Sequence, residues 1–95
     1  MPSLSSRERA ALRSSAHSLK PVLQLGSEGV TPAFLQALSE AFHTRDLLKI
    51  RVLETSDLST REAAQEIAAR VPEVEIVQEI GRVVAFYRPL PDDSG

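Results

Sequence analysis

The sequence predicts one α/β domain in which α-β-α-β-α-β-β elements build a mixed four-stranded sheet. Three observations lead there. Helix-start signals precede segments whose apolar residues recur at helical spacing. Short runs rich in β-branched residues alternate with those segments. The last two runs meet tightly at Gly81, as the strands of a hairpin do.

Ser5 or Ser6 caps a helix through "RERAALRSSAHSL", which ends near Lys20 because Pro21 disfavours helical geometry in the residue before it. "PVLQL" then reads as a short buried strand ending at Gly26. Thr31 suits the next N-cap, with Pro32 at the first helical position, where a missing N–H costs nothing. Phe34, Leu35, Leu38, Ala41 and Phe42 follow as one helical stripe. Leu47 to Glu54, "LLKIRVLE", is a strand with Leu48, Ile50 and Val52 on one face and Lys49, Arg51 and Leu53 on the other. Ser59 and Glu62 form a capping box that opens "REAAQEIAARV", and Pro72 closes it. "VEIVQEI" and "RVVAFYR" are the hairpin strands. The first two strands, joined through a helix, are expected to be parallel with a right-handed crossover, and the last two antiparallel. The domain spans 4–89, and the acidic stretch 90–95 reads as a loose tail.

Composition narrows the function. At 95 residues, 42% apolar and 25% charged, the chain has the make-up of an ordinary soluble globular domain. It contains no cysteine, so thiolate metal sites, disulfides and cysteine nucleophiles are excluded, which fits a reducing compartment. The polar start "MPSLSSRERAAL" has no apolar signal core, and no run approaches the roughly 20 apolar residues of a membrane span. A cytoplasmic protein without membrane contact is expected. The net charge is -2 but unevenly spread: residues 1–51 carry seven Lys/Arg against four Asp/Glu (+3), and 52–95 carry four against nine (-5).

The stretch "LQLGSEGVTP" holds a G-x-x-G loop, Gly26-Ser27-Glu28-Gly29, between a strand and a helix start. Glycines allow a sharp turn and close approach of a phosphate, while unpaired N–H groups and the helix dipole favour an anion. On spacing alone a purely structural turn is the stronger reading, since glycines commonly punctuate turns. The first helix shifts the balance. Arg9, Arg13, His17 and Lys20 fall within an arc of about 80° at about 100° per residue, without an acid among them. Leu4, Ala11, Leu12, Ser15 and Leu19 occupy a different, mostly apolar side. A basic row leading to a phosphate-sized loop is a track for a nucleic-acid backbone.

"AHSLKPV", "LGSEGVT" and "IGRVVAFYRP", in that order, resemble a bacterial YhbY-type stand-alone CRM domain (chloroplast RNA splicing and ribosome maturation) from about Leu4 to Pro89. The resemblance implies a fold similar to the C-terminal domain of translation initiation factor three. It also implies an RNA-binding domain associated with precursors of the large ribosomal subunit, with ribosomal RNA as partner. Carried over, the site comprises Gly26, Ser27, Glu28 and Gly29 of the loop with His17 and Lys20 beside it. Relatives often carry lysine or another basic or neutral residue inside this loop, whereas this chain has Ser27 and Glu28, and a carboxylate there repels a phosphate unless it points away. Binding that depends on further contacts in a ribosomal particle is expected.

Arg9 and Arg13 extend the basic track, and Arg82 at the hairpin is a further candidate contact. Lys49 and Arg51 read as the solvent side of a half-covered sheet, and Arg88 as surface. Phe86 and Tyr87 lie on opposite faces of one strand, so a paired aromatic platform on the sheet is not expected. Neither His17 nor His43 has a second metal ligand at useful spacing, and no nucleophile elbow or nucleotide-binding loop occurs, so no cofactor, metal or catalysis is expected. The alternative is a protein-interaction adaptor that docks on basic ribosomal proteins through Glu73, Glu75, Glu79, Asp92 and Asp93. A monomer is expected in either case.

Overall fold

The computed structural model describes residues 5–89. In it the chain forms α1 (Ser6–His17), β1 (Pro21–Leu25), α2 (Pro32–Ala41), β2 (Leu47–Val52), α3 (Thr60–Arg70), β3 (Glu75–Ile80) and β4 (Val83–Tyr87). The helices begin where their caps stand. Ser5 Oγ accepts from the Glu8 N–H at 3.1 Å, and Glu8 Oε1 accepts from the Ser5 N–H at 2.9 Å. Ser59 and Glu62 repeat this box, and Thr31 Oγ1 accepts from the Phe34 N–H at 3.0 Å.

The sheet order is β1-β2-β4-β3. β1 pairs parallel with β2, while β4 runs antiparallel to both β2 and β3. The hairpin loop is Gly81-Arg82, and Gly81 has φ +57°, the backbone sign that the favoured two-residue hairpin turns require. The class anticipated from the sequence, a mixed four-stranded sheet with helices packed on it, is the observed one.

The two faces of the sheet are covered unequally. Leu48, Ile50 and Val52 of β2 are buried with Phe42, Leu38, Ile67, Ala63 and Phe86 beneath α2 and α3. On the other face, among the described residues, α1 alone packs, through Ala16 and Leu12 against Val77, Ala85, Leu47 and Tyr87. Phe86 and Tyr87 therefore enter opposite layers, and both are engaged in packing.

Two expectations are corrected. β1 is not a buried strand: only Leu25 is buried, Leu23 is half-buried, and Pro21, Val22 and Gln24 are exposed. The strand lies at the sheet edge and has a partner on one side only. The buried side of α1 also differs from the expected one. Ala11, Ser15 and Leu19 are exposed, whereas Ala16 is buried and Leu12 and Arg9 half-buried; Leu4 lies outside the described residues. The buried face is turned by roughly 80° toward the basic row. Ala16 is small enough to let the helix approach the sheet, and a long arginine stem can cover apolar surface while its head finds polar partners.

A register irregularity in β1 matters for the site. Pairing passes from Pro21 opposite Lys49 to Leu23 opposite Ile50, so Val22 is an extra residue. Pro21 and Gln24 consequently share the α1 side of the sheet with Lys49 and Arg51.

Candidate nucleic-acid interface

The loop at Gly26 closes on itself. The Gly29 N–H donates to the Gly26 carbonyl at 3.1 Å, making a β-turn with Ser27 and Glu28 at its exposed centre. The two glycines are not equivalent. Gly29 has φ +73°, a region that side chains with a Cβ enter at a cost. Gly26 lies outside that region, and a Cβ there would meet only Leu53 Cδ1 and Thr55 Oγ1, each at an ordinary 3.7 Å. The turn explains Gly29 by itself; backbone geometry makes no such demand at Gly26.

Beyond the turn the chain reaches the start of α2, where Pro32 has no N–H and Thr31 caps that of Phe34. Among the described residues, the N–H groups of Ser27, Glu28 and Val30 have no hydrogen-bond acceptor. The turn, Thr31, Gln24 and Thr55 border an open recess of about 360 Å³. Amide donors and a helix N-terminus favour an anion there, while the Glu28 carboxylate opposes one. Arg82 lies at this same end of the sheet, where its carbonyl accepts from the Val52 N–H at 2.7 Å. Two strand spacings, about 10 Å, separate its strand from β1.

The basic row is divided by the fold. Arg13, His17 and Lys20 are exposed. Arg9 instead reaches the opposite sheet edge, donating from a terminal guanidinium nitrogen to the Ile76 carbonyl at 2.6 Å and pairing with Glu75 at 3.6 Å. Part of its guanidinium is thus committed to holding α1 on β3. Arg9→Gln is expected to lower unfolding stability by about 1–2 kcal/mol, the lower part of the range for a hydrogen bond to a charged group, because the arginine side chain is partly exposed. Arg13→Gln should stay within about 0.5 kcal/mol. Equal urea midpoints for the two variants would contradict this assignment.

Lys20 and the turn stand at opposite ends of β1, about 20 Å apart along six residues. They do not form one compact site. A ligand touching both must run along the exposed edge strand or over the sheet face beside it, where Lys49 and Arg51 lie. Sequence patterning marked these two as basic and outward but could not show that they stand between the loop and the helix.

Other candidates are occupied or isolated. The Arg88 guanidinium sits 5.3 Å from the Phe42 ring centroid, in a packing role. In the acidic half, Glu79 pairs with Arg61 at 3.9 Å and Glu75 with Arg9, while Asp92 and Asp93 lie outside the described residues. Among the described residues no group of three or more His, Cys, Asp or Glu is placed to hold a metal ion. No described helix is long and apolar enough to cross a membrane.

The chain is thus a small α/β domain in which a G-x-x-G turn leads from an edge strand into a helix on a mixed four-stranded sheet. The CRS1 / YhbY (CRM) domain model matches residues 4–88, and the chain belongs to that family. The chain is 29% identical over 91 residues to "Probable RNA-binding protein YqeI" of Bacillus subtilis, covering 96% of this chain and 94% of that one. It is 32% identical over 89 residues to an "RNA-binding protein" of Haemophilus influenzae, covering 94% and 89% of the two chains. The solution structure of the hypothetical protein SAV1595 from Staphylococcus aureus superposes with a TM-score of 0.72 at 26% identity, over 96% of this chain and 94% of that one.

Proposed function

We propose that this CRM-domain protein is a non-catalytic RNA-binding protein that captures RNA through its phosphate backbone. The observation that carries the reading is the open polar recess at the Gly26–Gly29 turn, where free amide donors meet a helix N-terminus and Arg82 stands at the same end of the sheet. The names of the Bacillus and Haemophilus relatives support RNA as the partner. Arg13, His17 and Lys20 steer the strand electrostatically, with Arg9 contributing what its ties to β3 leave over. Such contacts position a strand without reading its sequence. Attachment to ribosomal RNA in large-subunit precursors is the narrower form of this reading and rests on the CRM resemblance; a cytoplasmic monomer is the accompanying expectation from the sequence. Glu28 and the net charge of -2 make binding by the isolated protein weak, so that contacts on the particle, ribosomal proteins included, add to it.

The test is a salt titration with single-stranded RNA and a duplex of matched length. Binding is expected to favour the single strand and to weaken steeply with salt, by about 0.7 log units per log unit of salt for each phosphate neutralised. Replacing Arg13 and Lys20 together by Glu should flatten that slope by about 1–2. An unaltered slope would remove the helix from the interface, and absence of binding at low salt would remove RNA backbone capture by the isolated protein.

A further inference from the structure

We propose that the uncovered half of the α1-side sheet face seats a base of the RNA strand held at the Gly26–Gly29 turn, a proposal that rests on the RNA reading above. Past His17 no helix among the described residues covers this face, and a trough of about 290 Å³ crosses all four strands. That is the lower end of the range for small-ligand sites, about 300–1,000 Å³, and suits one planar base better than a larger group. The floor is apolar. Val83 contributes to it, and Ile80, at 62% exposure, is the most exposed large apolar side chain among the described residues.

A single exposed isoleucine needs no explanation. Here, however, it shares a recess with Lys49, His17 and the amide of Gln78. An apolar floor accepts the face of a base, and the glutamine amide can donate to and accept from its edge. Lys49 can neutralise the adjoining phosphate. The ion pairs among the described residues are those of Arg9, Arg61 and Arg70, so Lys49, Arg51 and Arg82 remain available to an anionic partner.

Continuity with the loop favours RNA over an acidic peptide. Gln24 borders the loop recess and stands opposite Arg51 in the β1–β2 register. Lys49, two residues from Arg51 on the same face, lines the trough. Loop recess, Arg51 and trough thus form one path beside β1, on the scale of the roughly four nucleotides that a G-x-x-G loop clamps in KH domains.

The test compares the intact chain's affinity for a short single-stranded uridine oligomer and for a matched oligomer whose central nucleotides are abasic. Wild type is expected to prefer the base-bearing oligomer by about tenfold, the worth of one stacked base. Replacing Ile80 by Ser and Lys49 by Gln should abolish that preference with little change in thermal midpoint, since neither side chain is buried. Gly26→Asp should weaken both oligomers equally. Equal wild-type affinity for the two oligomers would overturn the trough as a base site and return it to a protein partner. A preference that survives the double substitution would overturn it too, while loss of binding in Gly26→Asp would keep the loop reading intact. If Gly26→Asp binds as wild type but the preference depends on Ile80 and Lys49, the loop reading fails and the trough stands. Failure of wild type to bind either oligomer overturns both.

Discussion

Replacing Gly26 with Asp is expected to lower affinity for single-stranded RNA by about 10- to 100-fold and to shift the thermal midpoint by less than about 3 °C. The small structural effect follows from geometry. Gly26 has no left-handed backbone, and an added Cβ meets Leu53 and Thr55 at ordinary contact distance. Aspartate is moreover well suited to the first position of a turn. The large effect on binding follows from charge. A second carboxylate joins Glu28 at the recess, where unpaired amides would otherwise attract phosphate. At a few ångströms and surface dielectric, one such repulsion is worth about 1–3 kcal/mol. Gly29→Ala provides the contrast, because φ +73° makes it lose about 1–2 kcal/mol of stability. Fluorescence anisotropy with RNA, alongside thermal melts, separates the two. A Gly26→Asp variant that binds like wild type would reduce the loop to a structural turn.

The second large effect is on stability. Phe86→Ala is expected to cost about 3–5 kcal/mol, out of a total of about 5–15 kcal/mol for a domain of this size. Phe86 is 0% exposed, on the central strand β4, among Phe42, Leu48, Ile50 and Ile67 in the principal core. Truncation leaves a cavity that several elements would have to close together, so relaxation recovers little. Its neighbour Tyr87 belongs to the thinner layer under α1 and is only half-buried, so Tyr87→Ala should cost clearly less. Urea unfolding of the two variants checks this, and equal losses would mean that the two faces contribute alike.

Much of the domain is local in origin, and that part was legible. Caps at Ser5, Thr31 and Ser59 and prolines at 21, 32 and 72 act on their own neighbours through single hydrogen bonds or a single restricted torsion. The strand period that puts Leu48, Ile50 and Val52 on one side needs no tertiary knowledge either. The candidate loop was equally visible, because a turn and the helix that follows it are contiguous in the chain.

What escaped depended on partners distant in sequence. That β1 is an exposed edge is a property of the strand order, which strand composition does not encode. The orientation of α1 is not legible in the sequence because the helix offers two sides of similar apolarity. The choice between them was made by small Ala16 against Val77 and Ala85, and by the Arg9 bond to the Ile76 carbonyl, a contact across 67 residues. That contact draws Arg9 from the row of Arg13, His17 and Lys20.

The chain by itself thus determined its elements, their order and the turn at Gly26–Gly29, because these rest on torsions and hydrogen bonds between near neighbours. Only the tertiary structure decided which sheet face stays open, which cations border it, and that Lys49 and Arg51 lie between loop and helix. Those outcomes follow from register and packing between segments that meet only when the sheet assembles.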